Sequence, residues 1–242
     1  MKRTALLFTL LLGFTACGAR AEEQKPIAGI GPVGEVKKVA GDFAFTEGPA
    51  SDGQGNLYFT DIPNTKIHKL NSAGELSVFT AESGHSNGLM FNGAGELLAC
   101  EMDGQLVAWK LGEKPERRVI SAGYNDTRYN APNDLVVDRA GGVYLTDPHF
   151  RAPEPWPQGK TCVYYIDSEG KSTRLIDDLP APNGVILSPD EKTLYVIPSG
   201  QSKMMPYPAE SPGKLGARRV LCELAQPEGK SNTGGDGLTV DT

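Results

Sequence analysis

EGPASDGQGNLYFTD, residues 47–61, reads as two short apolar strands joined by a turn, with an acidic residue at its head. The turn Asp52-Gly53-Gln54-Gly55-Asn56 has the glycines that a hairpin loop needs for positive φ. The same pattern returns as NGLMFNGAGELLACE (87–101), NDLVVDRAGGVYLTD (133–147), NGVILSPDEKTLYVI (183–197) and DGLTVDT (236–242). Its lead residues, Glu47, Asn87, Asn133, Asn183 and Asp236, stand 40, 46, 50 and 53 positions apart. A period of that size is long enough for a small sheet and too short for a domain, which predicts a β-propeller with one blade per repeat. The innermost strands of a propeller line a central channel. All five lead residues should therefore converge on one axis.

The rest of the chain agrees with an all-β reading. Its 29 glycines and 18 prolines punctuate short runs rich in Val, Leu, Ile and Tyr, and helical periodicity is scarce beyond the first twenty or so residues. Further strands are expected at Lys66–Leu70, Gln105–Lys110 and Cys162–Ile166, giving four per blade. Glu35–Phe45 is read as a leading strand that seals the ring against the last blade. The segment 147–160, DPHFRAPEPWPQGK, holds four prolines and is expected as an irregular loop at the rim of the channel. The fifth unit reaches Thr242 within its first strand, so the remainder of blade five and a sixth blade are expected beyond the given residues.

One domain, residues 35–242, is preceded by an expected export signal (1–21) and a tether (22–34). Lys2 and Arg3 precede a 12-residue apolar run from Ala5 to Ala16, too short to span a bilayer. Two processing readings compete: cleavage after Ala19-Arg20-Ala21, or acylation of Cys17 within the lipobox-like Phe14-Thr15-Ala16-Cys17. Either puts the mature protein in the periplasm or outside the cell, with a lipid anchor on Cys17 as the only membrane attachment. Basic and acidic residues number 24 and 30, for a net charge of −6 without a basic cluster, so nucleic acid is not an expected partner. Cys100, Cys162 and Cys222 lie in or beside strand-like runs and read as small buried hydrophobes rather than a disulfide framework.

Glu47, Asn133, Asn183 and Asp236 on one axis offer two carboxylates and two amide carbonyls, all hard oxygen donors. Such a set suits Ca²⁺, Mg²⁺ or Mn²⁺ better than a soft metal, and it leaves coordination positions open for substrate. An Asn-Gly or Asp-Gly pair taken singly reads as a turn former. Recurrence in phase around a ring is what separates this set from independent turns.

The stretches FTEGPASDGQGNLYFTD (45–61), SNGLMFNGAGELLACE (86–101), RYNAPNDLVVDRAGGVYLTDPHF (128–150), DDLPAPNGVILSPDEKTLYV (177–196) and GGDGLTVD (234–241) resemble the gluconolactonase and senescence marker protein (regucalcin) family. That family comprises six-bladed, calcium-dependent propellers and includes diisopropyl fluorophosphatase. The resemblance implies a divalent metal, Ca²⁺ first and Mg²⁺, Mn²⁺ or Zn²⁺ as alternatives, held by Glu47, Asn133, Asn183 and Asp236. It also implies hydrolysis of a sugar lactone, with Asp236 as general base or nucleophile. Asn87, Asn133 and Arg128 are the expected substrate contacts, and His149 near the rim is a further candidate. Two other outcomes stay open: a calcium-binding recognition module without chemistry, and a phosphotriesterase-like hydrolase using the same oxygen cage. A polar, Asn/Arg-lined pocket would favour the lactone, and a wholly apolar one another ester.

Overall fold

Four antiparallel sheets follow one another along the chain in the structure, a computed structural model that describes residues 35–226, 228, 229 and 234–240. The first blade is β1 (Thr46–Ser51), β2 (Leu57–Asp61), β3 (Lys66–Leu70) and β4 (Leu76–Thr80). The second is β5 (Ser86–Phe91), β6 (Leu97–Glu101), β7 (Gln105–Lys110) and β8 (Glu116–Ser121). The third is β9 (Leu135–Val137), β10 (Val143–Asp147), β11 (Cys162–Ile166) and β12 (Ser172–Ile176). The fourth is β13 (Pro182–Leu187), β14 (Thr193–Pro198), β15 (Lys203–Ser211) and β16 (Lys214–Leu215), with β17 (Cys222–Glu223) paired to β15. Each blade is an up-and-down meander in sequence order, the architecture of a propeller. The export signal and tether expected at 1–34 lie outside the described residues.

Strand alternation explains how the blades stack. The second strand of a middle blade is apolar on both faces because each face meets a different neighbour. In β6, Leu97 and Ala99 pack with Tyr58 and Ile67 of blade one, while Leu98 and Cys100 pack with Val143 and Leu145 of blade three. In β10, Tyr144 turns the other way and joins Val185, Leu194 and Val196 of blade four. The apolar interior is therefore a series of inter-blade layers around the axis.

The strand starts are bulged. Glu47 pairs with Thr60 but Ala50 with Tyr58, so β1 holds one more residue than β2 over that interval. Identical slips separate Ser86 from Leu89 and Pro182 from Val185. A bulge re-aims the side chain beside it. Here it falls at the lead residue of three repeats.

The residue after the lead is where blades touch. A Cβ on Gly88 would lie 2.7 Å from the carbonyl oxygen of Asn133 in the next blade, and Gly88 N–H donates to that oxygen at 2.7 Å. Gly48 approaches the carbonyl of Asn87 and Gly184 that of Asp236 more closely still. Only glycine lets backbone meet backbone at this range. Blade three carries Asp134 instead, and its carboxylate accepts Val185 N–H of blade four at 3.2 Å.

Two expectations need correction. Glu35–Phe45 forms no strand; Asp61 Oδ1 accepts both Ala44 and Phe45 N–H at 3.1 Å, which takes those donors away from any ladder, and Phe43 packs edge-on against Phe59. Cys222 is exposed, whereas Cys100 and Cys162 are buried as expected, and all three are free thiols. Its strand β17 has only two residues and lies at the edge of its sheet, where nothing covers the side chain.

Because backbone carbonyl rather than a flexible side chain faces Gly88, Gly88→Ala is expected to lower the unfolding free energy by about 1–3 kcal/mol. Gly93, with nothing within 4 Å of its would-be Cβ, is the matched control, and Gly93→Ala should stay within about 0.5 kcal/mol. Urea denaturation of both variants measures the difference; equal effects would contradict this account of blade spacing.

Candidate active site

All five lead residues meet at the hub. Glu47, Asn87, Asn133, Asn183 and Asp236 together line two adjoining cavities, of ≈ 480 and ≈ 460 Å³. The first runs down the channel past Gly48, Gly88, Asp134, Leu135, Val185 and Gly237. The second opens among the strand-start loops, with Phe45, Ile62, Pro63, Met102, Phe150, Arg151 and Ser199 around it. The five side chains thus form a polar diaphragm between a channel and an outer cleft.

Their hydrogen bonding shows what the diaphragm is short of. Asn87 and Asn133 are 8% and 4% exposed, yet their side-chain amides make no hydrogen bond within the described residues. Neither amide is sealed off; both open onto the hub cavities, where a ligand can meet them. Asn183 is oriented by a relay: its Nδ2 donates to Ser199 Oγ at 2.9 Å, and Ser199 Oγ donates to Gly235 O at 3.0 Å. With the hydroxyl proton committed to Gly235, Ser199 must accept from Asn183, which leaves the Asn183 carbonyl oxygen turned away from its neighbours and available.

Negative charge crowds the same place. Burial raises the Glu47 carboxyl above its usual range, and Asp236 adds to the shift. Burial pushes Asp134 up to about 7, against the opposing hydrogen bonds from Leu135 and Val185 N–H, with Glu47 and Asp236 repelling it further. Among the described residues no basic side chain lines the channel cavity. Among the described residues no group of three or more His, Cys, Asp or Glu gathers as a metal cluster, so amide oxygens would have to complete the set. Unpartnered amide carbonyls beside like-charged carboxylates fit a hard divalent cation and fit neither a thiolate nor an imidazole metal.

The other two expected contacts lie elsewhere. Arg128 donates to Tyr129 O at 3.1 Å and to Asn130 O at 3.3 Å and lines a separate depression with Ser121 and Gly170. His149 stacks on Trp156 with ring centroids 4.4 Å apart, its Nδ1 is buried without a partner, and it lines neither hub cavity. What reaches the cleft from that loop is its continuation, Phe150 and Arg151.

Residues 45–242 match the model of the SMP-30/Gluconolactonase/LRE-like region. The chain belongs to that family. Gluconolactonase of Zymomonas mobilis is 26% identical, over 85% of this chain and 64% of the relative. Lactonase drp35 of Staphylococcus epidermidis is 28% identical, over 69% of this chain and 52% of the relative. The chain therefore spans between about half and two thirds of the length of these curated relatives. A solved gluconolactonase of Xanthomonas campestris superposes with a TM-score of 0.73 at 27% identity, covering 84% of this chain and 69% of that one. A calcium-binding regucalcin of Agrobacterium tumefaciens shares the fold, with a TM-score of 0.65 at 23% identity over 81% of this chain and 63% of that one.

In this family member the cleft loop is held from below. Asp147, at the end of β10, accepts Asn130 N–H at 2.9 Å and Ala131 N–H at 2.8 Å. Asn130 in turn donates to Lys160 O and accepts Gln158 N–H, both at 2.9 Å, closing the loop at its base. Burial pushes the Asp147 carboxyl up to about 7 despite those two donors. A carboxyl near 3.8 when unfolded and near 7 when folded adds stability that is full below pH 4 and is lost as pH rises through 7. The unfolding free energy of wild type should thus fall between pH 4 and 7 relative to Asp147→Asn, measured by urea denaturation at each pH; parallel curves would show that Asp147 titrates normally.

Proposed function

We propose that this chain is the metal-holding part of a lactone hydrolase of the gluconolactonase type, its blades belonging to a six-bladed ring. The observation that carries the reading is the hub itself: five in-phase oxygen-bearing side chains, two of them amides that make no hydrogen bond to the described residues and open onto the cavity, floor a cleft of ≈ 460 Å³. A cleft of that size suits a sugar-sized ring. Its Asn-rich floor and its arginine favour a lactone over a wholly apolar ester, and the relatives named gluconolactonase and lactonase point the same way.

Glu47, Asn133, Asn183 and Asp236 would hold the cation, Ca²⁺ by donor type, with Ser199 fixing the Asn183 amide. When bound, a divalent cation supplies Lewis-acid polarisation of the ester carbonyl. Asn87 presents its amide to the substrate from the buried floor. Asp236, exposed to the cleft, takes a proton from water as the water oxygen bonds to the carbonyl carbon. The ring C–O bond then breaks, and the same proton passes to the departing alkoxide, leaving a hydroxy acid. Phe45, Ile62, Met102 and Phe150 form an apolar wall of the cleft.

Hydrolysis of glucono-1,5-lactone, followed by proton release with chelator and with single ions restored, tests the assignment. Asp236→Ala should cost at least about a hundredfold in kcat; retained activity would remove Asp236 from the chemistry. Glu47→Gln and Ser199→Ala should each weaken Ca²⁺ binding by about ten- to a hundredfold, the first by loss of charge and the second by freeing the Asn183 amide. Titration calorimetry reads both, and unchanged affinity for either variant would take that residue out of the site.

A further inference from the structure

The outer cleft has a polarity that the hub alone does not explain. Its floor carries Glu47 and Asp236, and its rim carries Arg151, the single basic residue among the described residues that lines it. Most arginines in the described residues are spoken for: Arg117, Arg118, Arg139 and Arg218 pair with carboxylates, and Arg174 donates to Gln158. Among the described residues Arg151 has no hydrogen bond, ion pair or ring contact. A free guanidinium is common on a surface, but this one stands on a braced backbone. Ala152 packs against Ile62, Met102 and Ala131, two of which line the same cleft, and Ala152 N–H donates to His149 O at 3.1 Å. On the far side Trp156 stacks on His149 and donates to Glu154 at 2.6 Å. The exposed ring of Phe150 sits next to Arg151, and that of Phe45 also lines the cleft, so both offer apolar contact beside the charge.

Resting on the lactonase reading above, we propose that the substrate is an acidic lactone, with its ester at the floor and an exocyclic carboxylate or phosphate at the rim, where Arg151 receives it. A guanidinium suits this task because its fork donates two parallel hydrogen bonds to such a group. Its position on an anchored loop lowers the cost of ordering it. The floor carboxylates repel an anion and so favour one orientation of the ring. Arg151 is in this account a specificity residue and takes no part in bond breaking.

The test compares kcat/KM for matched lactones in the full-length, metal-loaded protein. Glucaro-1,4-lactone is set against neutral glucono-1,4-lactone, and 6-phosphoglucono-1,5-lactone against glucono-1,5-lactone; the larger preference tells carboxylate from phosphate. Arg151→Gln should cut turnover of the anionic member about ten- to a hundredfold and leave the neutral one within about threefold. Arg151→Lys should restore part of the loss. Equal effects on both members, or none, would overturn the proposal while leaving the hydrolase reading intact. Turnover of no lactone by wild type would overturn the hydrolase reading itself. Binding still decides the rim: calorimetry should show tetrahydropyran-2-carboxylate binding more tightly than tetrahydropyran-2-methanol, with the difference erased in Arg151→Gln. No difference in wild type would sink the proposal.

Discussion

Backbone-to-backbone contact between neighbouring blades at the second position of three repeats sets the radius of the hub. Gly48, Gly88 and Gly184 each press against the carbonyl of the next blade's lead residue. Thr60 Oγ1 adds a hydrogen bond to Asn87 O at 3.1 Å. A Cβ at any of these glycines would push the blades apart, widen the diaphragm and move every lead side chain off its neighbours. The repeat's first two letters therefore act together, one facing the axis and one setting how near the axis the next blade may come. A local turn would need the glycine for positive φ, yet Gly88 and Gly184 lack it. Their requirement is space.

Blade three departs from the pattern in an informative way. Asp134 occupies the glycine position and bridges to blade four through Val185 N–H instead of yielding room to it. Its carboxyl stands at the channel, with Leu135 N–H as a second donor at 2.9 Å. That adds an acidic group to a channel already lined by Glu47 and Asp236; Glu47 and Asp236 both raise the cost of ionising Asp134, and Asp236 raises that of Glu47. Such an arrangement is unfavourable for the isolated chain and favourable once positive charge enters, so the hub concentrates its stability deficit where the proposed ligand binds.

Much of the fold was legible because propeller blades are periodic at two scales. Alternation of period two marked the strands, and Gly-rich loops marked the hairpins, so Lys66–Leu70, Gln105–Lys110 and Cys162–Ile166 emerge as strands with the expected bounds. The repeat phase also brought Glu47, Asn87, Asn133, Asn183 and Asp236 to one place. Features outside the repeat were not legible. Glu35–Phe45 has strand-like composition, but Asp61 captures its amides, a contact across 16 or 17 positions that no local pattern signals. Arg128 and His149 look chemically apt, but Arg128 turns to its own backbone carbonyls and His149 to Trp156. Phe150 and Arg151 adjoin His149 in sequence and face the cleft instead. In an irregular loop adjacent residues have no fixed phase, so composition locates the loop at the rim without saying which side chain turns inward.

This division has a physical cause. Residues on the axis are placed by the sheets, whose inter-blade layers bury Leu97, Leu98, Leu106, Leu145, Ile166 and Leu194 almost completely. Burial of each such side chain contributes about 1.5–3 kcal/mol, enough to hold a hub of unpartnered amides and like charges in place. Residues at the rim are placed by single hydrogen bonds such as those from Asn130, Gln158 and Trp156, each worth about 0.5–1.5 kcal/mol. Catalytic geometry set on the stronger framework tolerates little change. The recognition proposed for the substrate's outer end would sit on the weaker one, where a single substitution in the loop can exchange the contacting residue and leave the hub as it was. Under the lactonase proposal the same hub serves different lactones, and what distinguishes one from another must be sought in loops such as 147–160.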